Sequence, residues 1–117
     1  MDNLFYGNLG EDIATKFLIK RNYKILDRNY TALGTEIDII ARDKDEIVFV
    51  EVKTRNSHKY GDAYEAVDEF KMKNIIKTAR AYIERYSLYD IMIRFDIIEV
   101  YLRERKLNHI IAAFDII

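Results

Sequence analysis

Gly34-Thr35-Glu36-Ile37-Asp38-Ile39-Ile40, followed by Ile47-Val48-Phe49-Val50-Glu51-Val52-Lys53, is the stretch whose reading decides the fold. Both segments are rich in β-branched residues and read as strands over about 36–42 and 46–54. Charge falls only where the first strand begins and the second ends. An isolated charge in so apolar a strand is costly unless it is paired or holds an ion. A hairpin with the loop Asp43-Lys44-Asp45-Glu46 sets Arg42 opposite Ile47, Ile40 opposite Phe49, Asp38 opposite Glu51 and Glu36 opposite Lys53. Alternation puts these pairs on one face and leaves Ile37, Ile39 and Ala41 with Val48, Val50 and Val52 on a uniformly apolar one.

Two carboxylates opposed on a sheet repel each other. A divalent cation reverses that sign, since Mg²⁺ is commonly held by one or two carboxylates with water and phosphate completing its shell. Lys53, on the same face as Glu51, suits the orientation or activation of a water, or the stabilisation of developing negative charge. Metal, water and ammonium together fit phosphodiester hydrolysis. The competing reading is a solvated Asp38 and an exposed Glu51–Lys53 pair, each contributing under about 1 kcal/mol. The spacing Asp-x(12)-Glu-x-Lys by itself leaves both open.

Outward from this pair, residues 4–21 carry Leu9, Ile13 and Phe17 with Ala14 and Leu18 at helical spacing. Tyr23 to Tyr30 reads as a short edge strand. Met72, Ile75, Ile76, Ala79, Ile83 and Tyr86 form one stripe of a helix expected from about Ala63 to Tyr86. Strand character returns from Ile91 to Leu102 and, after the charged turn Arg103-Glu104-Arg105-Lys106, from Leu107 to Phe114. The order α-β-β-β-α-β(-β) predicts an α/β sheet flanked by helices. In the first helix, Asn8-x-x-Glu11 reads as a capping box, yet small neighbours on the same face would also let Glu11 bring a carboxylate to the sheet. Lys73, Lys77 and Arg80 share a face of the second long helix, with Lys71 close by and Arg55 and Lys59 just past the charged strand. Such residues either contact phosphates or form a solvated basic face. Asp96 reads as a structural ion-pair partner, and His58 and His109 have no ligand spacing for zinc.

The bulk composition bounds these readings. A chain of 117 residues, half hydrophobic and a third charged, fits one domain over residues 1–117 with one core. Zero cysteines exclude disulfides, thiolate metal sites and cysteine nucleophiles, and make a cytoplasmic location the default expectation. No apolar run is long enough for a membrane span, and the first residues lack the pattern of a signal peptide. Nineteen Lys and Arg against twenty Asp and Glu, a formal net charge of −1, is not the strongly basic balance of a dedicated nucleic-acid binder. With no proline and four glycines, turns fall to Asn, Asp and those glycines.

Asp38 followed by Glu51-Val52-Lys53 resembles the metal-binding signature of the PD-(D/E)XK nuclease superfamily. The chain as a whole is similar to the YraN family of small bacterial proteins. The matching segments are Gly7-Asn8-Leu9-Gly10-Glu11, Asn29-Tyr30, Glu36 to Ile40, Val48 to Arg55, Tyr60-Gly61, Ala66-Val67 with Lys71, and Arg94 to Ile98. One departure is visible: Thr35 stands where that family usually has Gly, with Gly34 one place earlier. The resemblance implies a restriction endonuclease-like αβββαβ core. It further implies Asp38 and Glu51 as ligands of Mg²⁺ or Mn²⁺, Lys53 as the catalytic lysine, and Glu11 as a further ligand by analogy with Holliday-junction resolvases. The activity so implied is metal-dependent hydrolysis of DNA, branched or nicked DNA included. Arg55, Lys71, Lys73 and Lys77 are the candidates for DNA contact, and a homodimer would match the resolvases. The alternative is a non-catalytic module of the same fold that binds nucleic acid or a protein partner.

Overall fold

The computed structural model describes residues 3–56 and 68–116. Strands β1 (Lys24–Ala32), β2 (Thr35–Asp43) and β3 (Glu46–Arg55) follow helix α1 (Asn3–Lys20), and α2 (Glu69–Arg85) leads to β4 (Met92–Tyr101) and β5 (Lys106–Phe114). The five strands form one mixed sheet in the order β1-β2-β3-β4-β5, in which only β3 and β4 run parallel and α2 lies in their crossover. This is the restriction endonuclease-like αβββαβ arrangement with a fifth strand added, and β1 lies at an edge as its sequence predicts.

The β2–β3 register is the predicted one, with Arg42 paired to Ile47 and Ile40 to Phe49. Its turn is tighter than expected: Asp43 pairs with Glu46, so only Lys44 and Asp45 turn the chain, and Lys44 takes a φ of 56°. The ladder ends at Ile39–Val50. Past that point the Val52 N–H donates to the Asp38 carboxylate at 2.8 Å, so a side chain stands where a strand carbonyl would. The predicted Asp38–Glu51 and Glu36–Lys53 ladder pairs therefore do not form, and Glu36 pairs instead with Thr31 of β1. Ile37 also departs from the predicted face: it packs with Ile40 under α2, where the start of β2 is no longer held flat by β3.

Two apolar layers cover the sheet. Ala14 and Leu18 of α1 pack on Ile39, Ala41, Val48, Val50 and Val52. On the other face Ile75, Ala79 and Tyr82 of α2 pack on Ile40, Ile47, Phe49 and Phe95, with the Tyr82 ring edge-on to Tyr30 and Phe49. These layers need both helices, because a strand like β3, buried on both sides, satisfies its apolar surface only when each face is covered. Asn8 lies inside α1 and does not cap it, which corrects the capping-box expectation; the helix begins more than one turn earlier, at Asn3. The second helix begins at Glu69 rather than near Ala63, because Asp68 is extended and its carboxylate accepts the Lys71 N–H at 2.9 Å as N-cap. Ala63 to Val67, with Tyr60-Gly61, His58 and Lys59, fall outside the described residues.

Turns also depart from expectation. Of the non-glycine residues with positive φ among those described, Asn22 and Asn29 are the only asparagines; Leu33, Lys44, Ser87, Arg105 and Ala112 adopt it too. Leu33 and Gly34, at φ 55° and 78°, form the β1–β2 turn, which leaves Thr35 in ordinary extended backbone. A β-branched residue is thus tolerated at that place. Its hydroxyl hydrogen-bonds with Thr78 and reaches the Asn74 carbonyl at 3.3 Å, tying the start of β2 to α2.

Asp96 is the ion-pair partner its sequence setting predicts, and more. Its fully buried carboxylate accepts from Arg94 Nε at 2.9 Å, from the Ala112 N–H at 3.0 Å, and lies 2.7 Å from His109 Nε2. Arg94 also reaches Asp43 at 3.1 Å, Glu46 at 2.7 Å and the Tyr23 hydroxyl at 2.8 Å, so one guanidinium joins β4 to the β2–β3 turn and to the start of β1. Removing one side of a buried pair strands the other charge. Asp96→Ala should therefore lose about 3–5 kcal/mol of stability in urea unfolding; a loss below about 1 kcal/mol would show that the network is dispensable.

Candidate metal centre

Three elements bring carboxylates to one end of the sheet. Glu11 comes from α1, Asp38 from the start of β2 and Glu51 from β3, and together with Lys53 they line an open cleft of about 560 Å³. Tyr6, Gly7, Val52, Thr54, Arg55 and Asn56 form the rest of its wall. The approach of α1 depends on Gly10: a Cβ there would lie 1.8 Å from Thr54 Oγ1. With no side chain in the way, the helix rests on β3 and the next residue, Glu11, enters the cleft.

Glu11, Glu36 and Asp38 each offer an oxygen within 4.8 Å of the others. Glu51 is 4% exposed, and its Oε2 has no hydrogen-bond partner among the described residues; the Lys71 ammonium of α2 lies 3.7 Å away. Such crowding holds protons on the acids. Burial first, and then the charge of Asp38, pushes Glu11 up to about 7 against the opposing Arg28 guanidinium at 3.8 Å. Burial likewise leads in pushing Glu51 up to about 9, with Asp38 adding to it and Lys71 and Lys53 opposing.

These residues fit a hard divalent cation. The donors are all carboxylate oxygens, a buried oxygen lacks a hydrogen-bond partner, and the acids repel one another when ionised. Asp38, Glu51 and Glu11 are the residues that would hold Mg²⁺ or Mn²⁺.

The other sequence candidates divide. Arg55 lines the same cleft, and Lys71 reaches Glu51 from α2. Lys73, paired with Glu69 at 3.5 Å, and Lys77 instead line a separate groove of about 670 Å³ with Arg80, Met72 and Ile76. The structure does not bring Lys73 or Lys77 to the carboxylates.

Sequence reasoning missed Arg28 and Asn29 as parts of the site. Asn29 sits mid-strand at φ 53°, and with its amide nitrogen turned toward the acids it donates to Glu36 at 2.9 Å and to Glu11 at 3.2 Å. Arg28 bridges Glu11 and, at 2.9 Å, Asp12. The available signal was an Asn inside an otherwise regular strand, since Asn is among the few non-glycine residues that visit the left-handed region readily.

Fold and cleft together define a class: a restriction endonuclease-like α/β domain with a carboxylate cleft at the end of its central strands. Within that class the chain belongs to Uncharacterised protein family UPF0102, the YraN family, whose model matches residues 10–100. A UPF0102 protein of Clostridioides difficile strain 630 is 47% identical over 114 residues, covering 97% of this chain and 100% of that protein. One of Caldanaerobacter subterraneus subsp. tengcongensis is 49% identical over 113 residues, covering 92% and 93%. One of Geobacter sulfurreducens is 40% identical over 117 residues, covering 97% and 91%.

Two outcomes follow from the geometry. Gly10→Ala should destabilise the protein by about 1–3 kcal/mol through overpacking on β3, and pairing it with Thr54→Ala should recover part of that loss in urea unfolding. The acids bear on pH dependence. Folded Glu11 and Glu51 keep their protons to about 7 and about 9, against 4.5 ordinarily. The unfolded chain thus releases them first, so the stability of the cation-free protein should fall as pH rises from about 4.5 and level off above about 9. A divalent ion held by these acids would replace those protons, so saturating Mn²⁺ would then flatten the slope; a slope of opposite sign in the cation-free protein would contradict the burial of these acids.

Proposed function

We propose that this protein is a divalent-metal-dependent, nuclease-like protein that hydrolyses phosphodiester bonds in DNA, with branched or nicked DNA as its substrate class. The observation that carries this is Glu51: a buried carboxylate with an oxygen that accepts no hydrogen bond among the described residues, beside Asp38 and at the back of an open cleft that also holds Lys53. Asp38, fixed by the Val52 N–H, and Glu51 would be the principal ligands, with Glu11 as a third from α1. Mg²⁺ or Mn²⁺ held there would supply Lewis-acid assistance to the phosphoryl oxygens and to the attacking water.

The chain's own side chains do the remaining work. Lys53 lines the cleft, where its ammonium would orient the attacking water or stabilise charge developing on the phosphate. Arg55 on the cleft wall and Lys71 beside Glu51 would be the contacts to the DNA backbone. Among the described residues no helix is long and apolar enough to cross a membrane.

A second reading has one observation in its favour. Arg28 and Lys71 already lie near Glu11 and Glu51, as in a domain that keeps its acids paired and binds nucleic acid or a protein without cutting. Cleavage assays on four-way-junction, nicked and linear DNA in Mn²⁺ separate the two. Wild type should cut at least one form, and Asp38→Asn should lower that rate by at least about a hundredfold. Unimpaired cleavage by Asp38→Asn would refute the ligand assignment. Calorimetry with no heat for Mn²⁺ or Mg²⁺, alongside retained DNA binding, would establish the binding module.

A further inference from the structure

A lysine in the first turn of a helix is electrostatically misplaced, because the exposed N–H groups there carry partial positive charge. Lys71 occupies that position in α2, three residues after the Asp68 N-cap. Its ammonium is 3.7 Å from Glu51 Oε2, too long for a hydrogen bond and close enough for strong attraction. It is not among the residues that line the carboxylate cleft; it reaches Glu51 from the α2 side, and its side chain is 41% exposed. Lys71 is therefore a partly exposed counter-charge beside a buried acid, with no hydrogen bond to its Oε2.

Resting on the metal-centre reading above, we propose that Lys71 is a built-in placeholder cation: its ammonium lies against Glu51 while no divalent ion is bound, and is released to a DNA phosphate when one is. The two states differ in what lies against the acid. In the first, the ammonium supplies the positive charge beside the buried Glu51 oxygen. In the second, the divalent ion satisfies Glu51 and repels Lys71, whose exposed stem lets the ammonium turn to a backbone phosphate. Metal and DNA binding are then positively coupled through one side chain, and by linkage each strengthens the other. The sign holds whether Glu51 begins as carboxylate or carboxyl, since a divalent ion feels the ammonium twice as strongly as a proton does.

The test uses the full chain and two readouts other than cleavage. In calorimetry with Mn²⁺ alone, Lys71→Gln should bind the ion about three- to tenfold more tightly than wild type, because a competing positive charge has gone. Lys71→Arg should match wild type. In a cleavage-impaired Lys53→Ala background, Mn²⁺ should strengthen binding to a labelled four-way junction, and adding Lys71→Gln should remove most of that gain. Thermal melts that match wild type to within a few degrees would show that the variants fold. Mn²⁺ affinity that is unchanged or weaker in Lys71→Gln would overturn the placeholder role alone. Absence of Mn²⁺ binding by wild type would overturn the metal-centre reading and this proposal with it.

Discussion

The Asp38 carboxylate accepting the Val52 N–H is the contact on which the site depends. It ends the β2–β3 ladder at Ile39–Val50 and substitutes a side chain for a backbone acceptor, so the Val52 N–H is satisfied where the two strands part. The same contact pins an acid at the point where Glu51 leaves the core. Two carboxylates so placed cannot both be ionised cheaply, and the resulting demand for a proton or a cation follows from the backbone pairing itself.

Both helices act on that point, from opposite faces of the sheet. α1 comes close enough to contribute Glu11 because Gly10 has no Cβ to strike Thr54. α2 is anchored by Asp68 at its start and by the Thr35–Thr78 contact further along, and it brings Lys71 to the other side of Glu51. The Arg94 network, at the far end of β2 and β3, holds the hairpin turn against β4 and leaves the cleft end as the place where the strands diverge. Rigid packing at one end and divergence at the other is a scaffold suited to a preorganised polar site.

Much of this was legible in the residues. Arg42–Ile47 and Ile40–Phe49 followed from alternation, as did the edge position of β1 and the apolar stripe of α2. Other features were not legible because they oppose local pattern. Asn8 looks like a cap only if the helix starts there, and nothing local says that it starts earlier. Asn29 aims its amide at two acids through a left-handed backbone that strand periodicity conceals. Ile37 changes face because the ladder beside it has ended, and the ending is set by the Asp38 side chain on the Val52 N–H, a contact that strand alternation does not encode.

By itself the sequence determined the element order, the pairing register of the central hairpin and the types of charge at its open end, since each rests on local alternation and turn length. Tertiary structure decided which charges meet. Glu11 joins Asp38 and Glu51 because a missing Cβ lets α1 descend, and Lys71 joins them while Lys73 and Lys77 turn to another groove. Those outcomes depend on helix docking over long sequence separation, where distances of a few ångströms separate a ligand set from scattered surface charge.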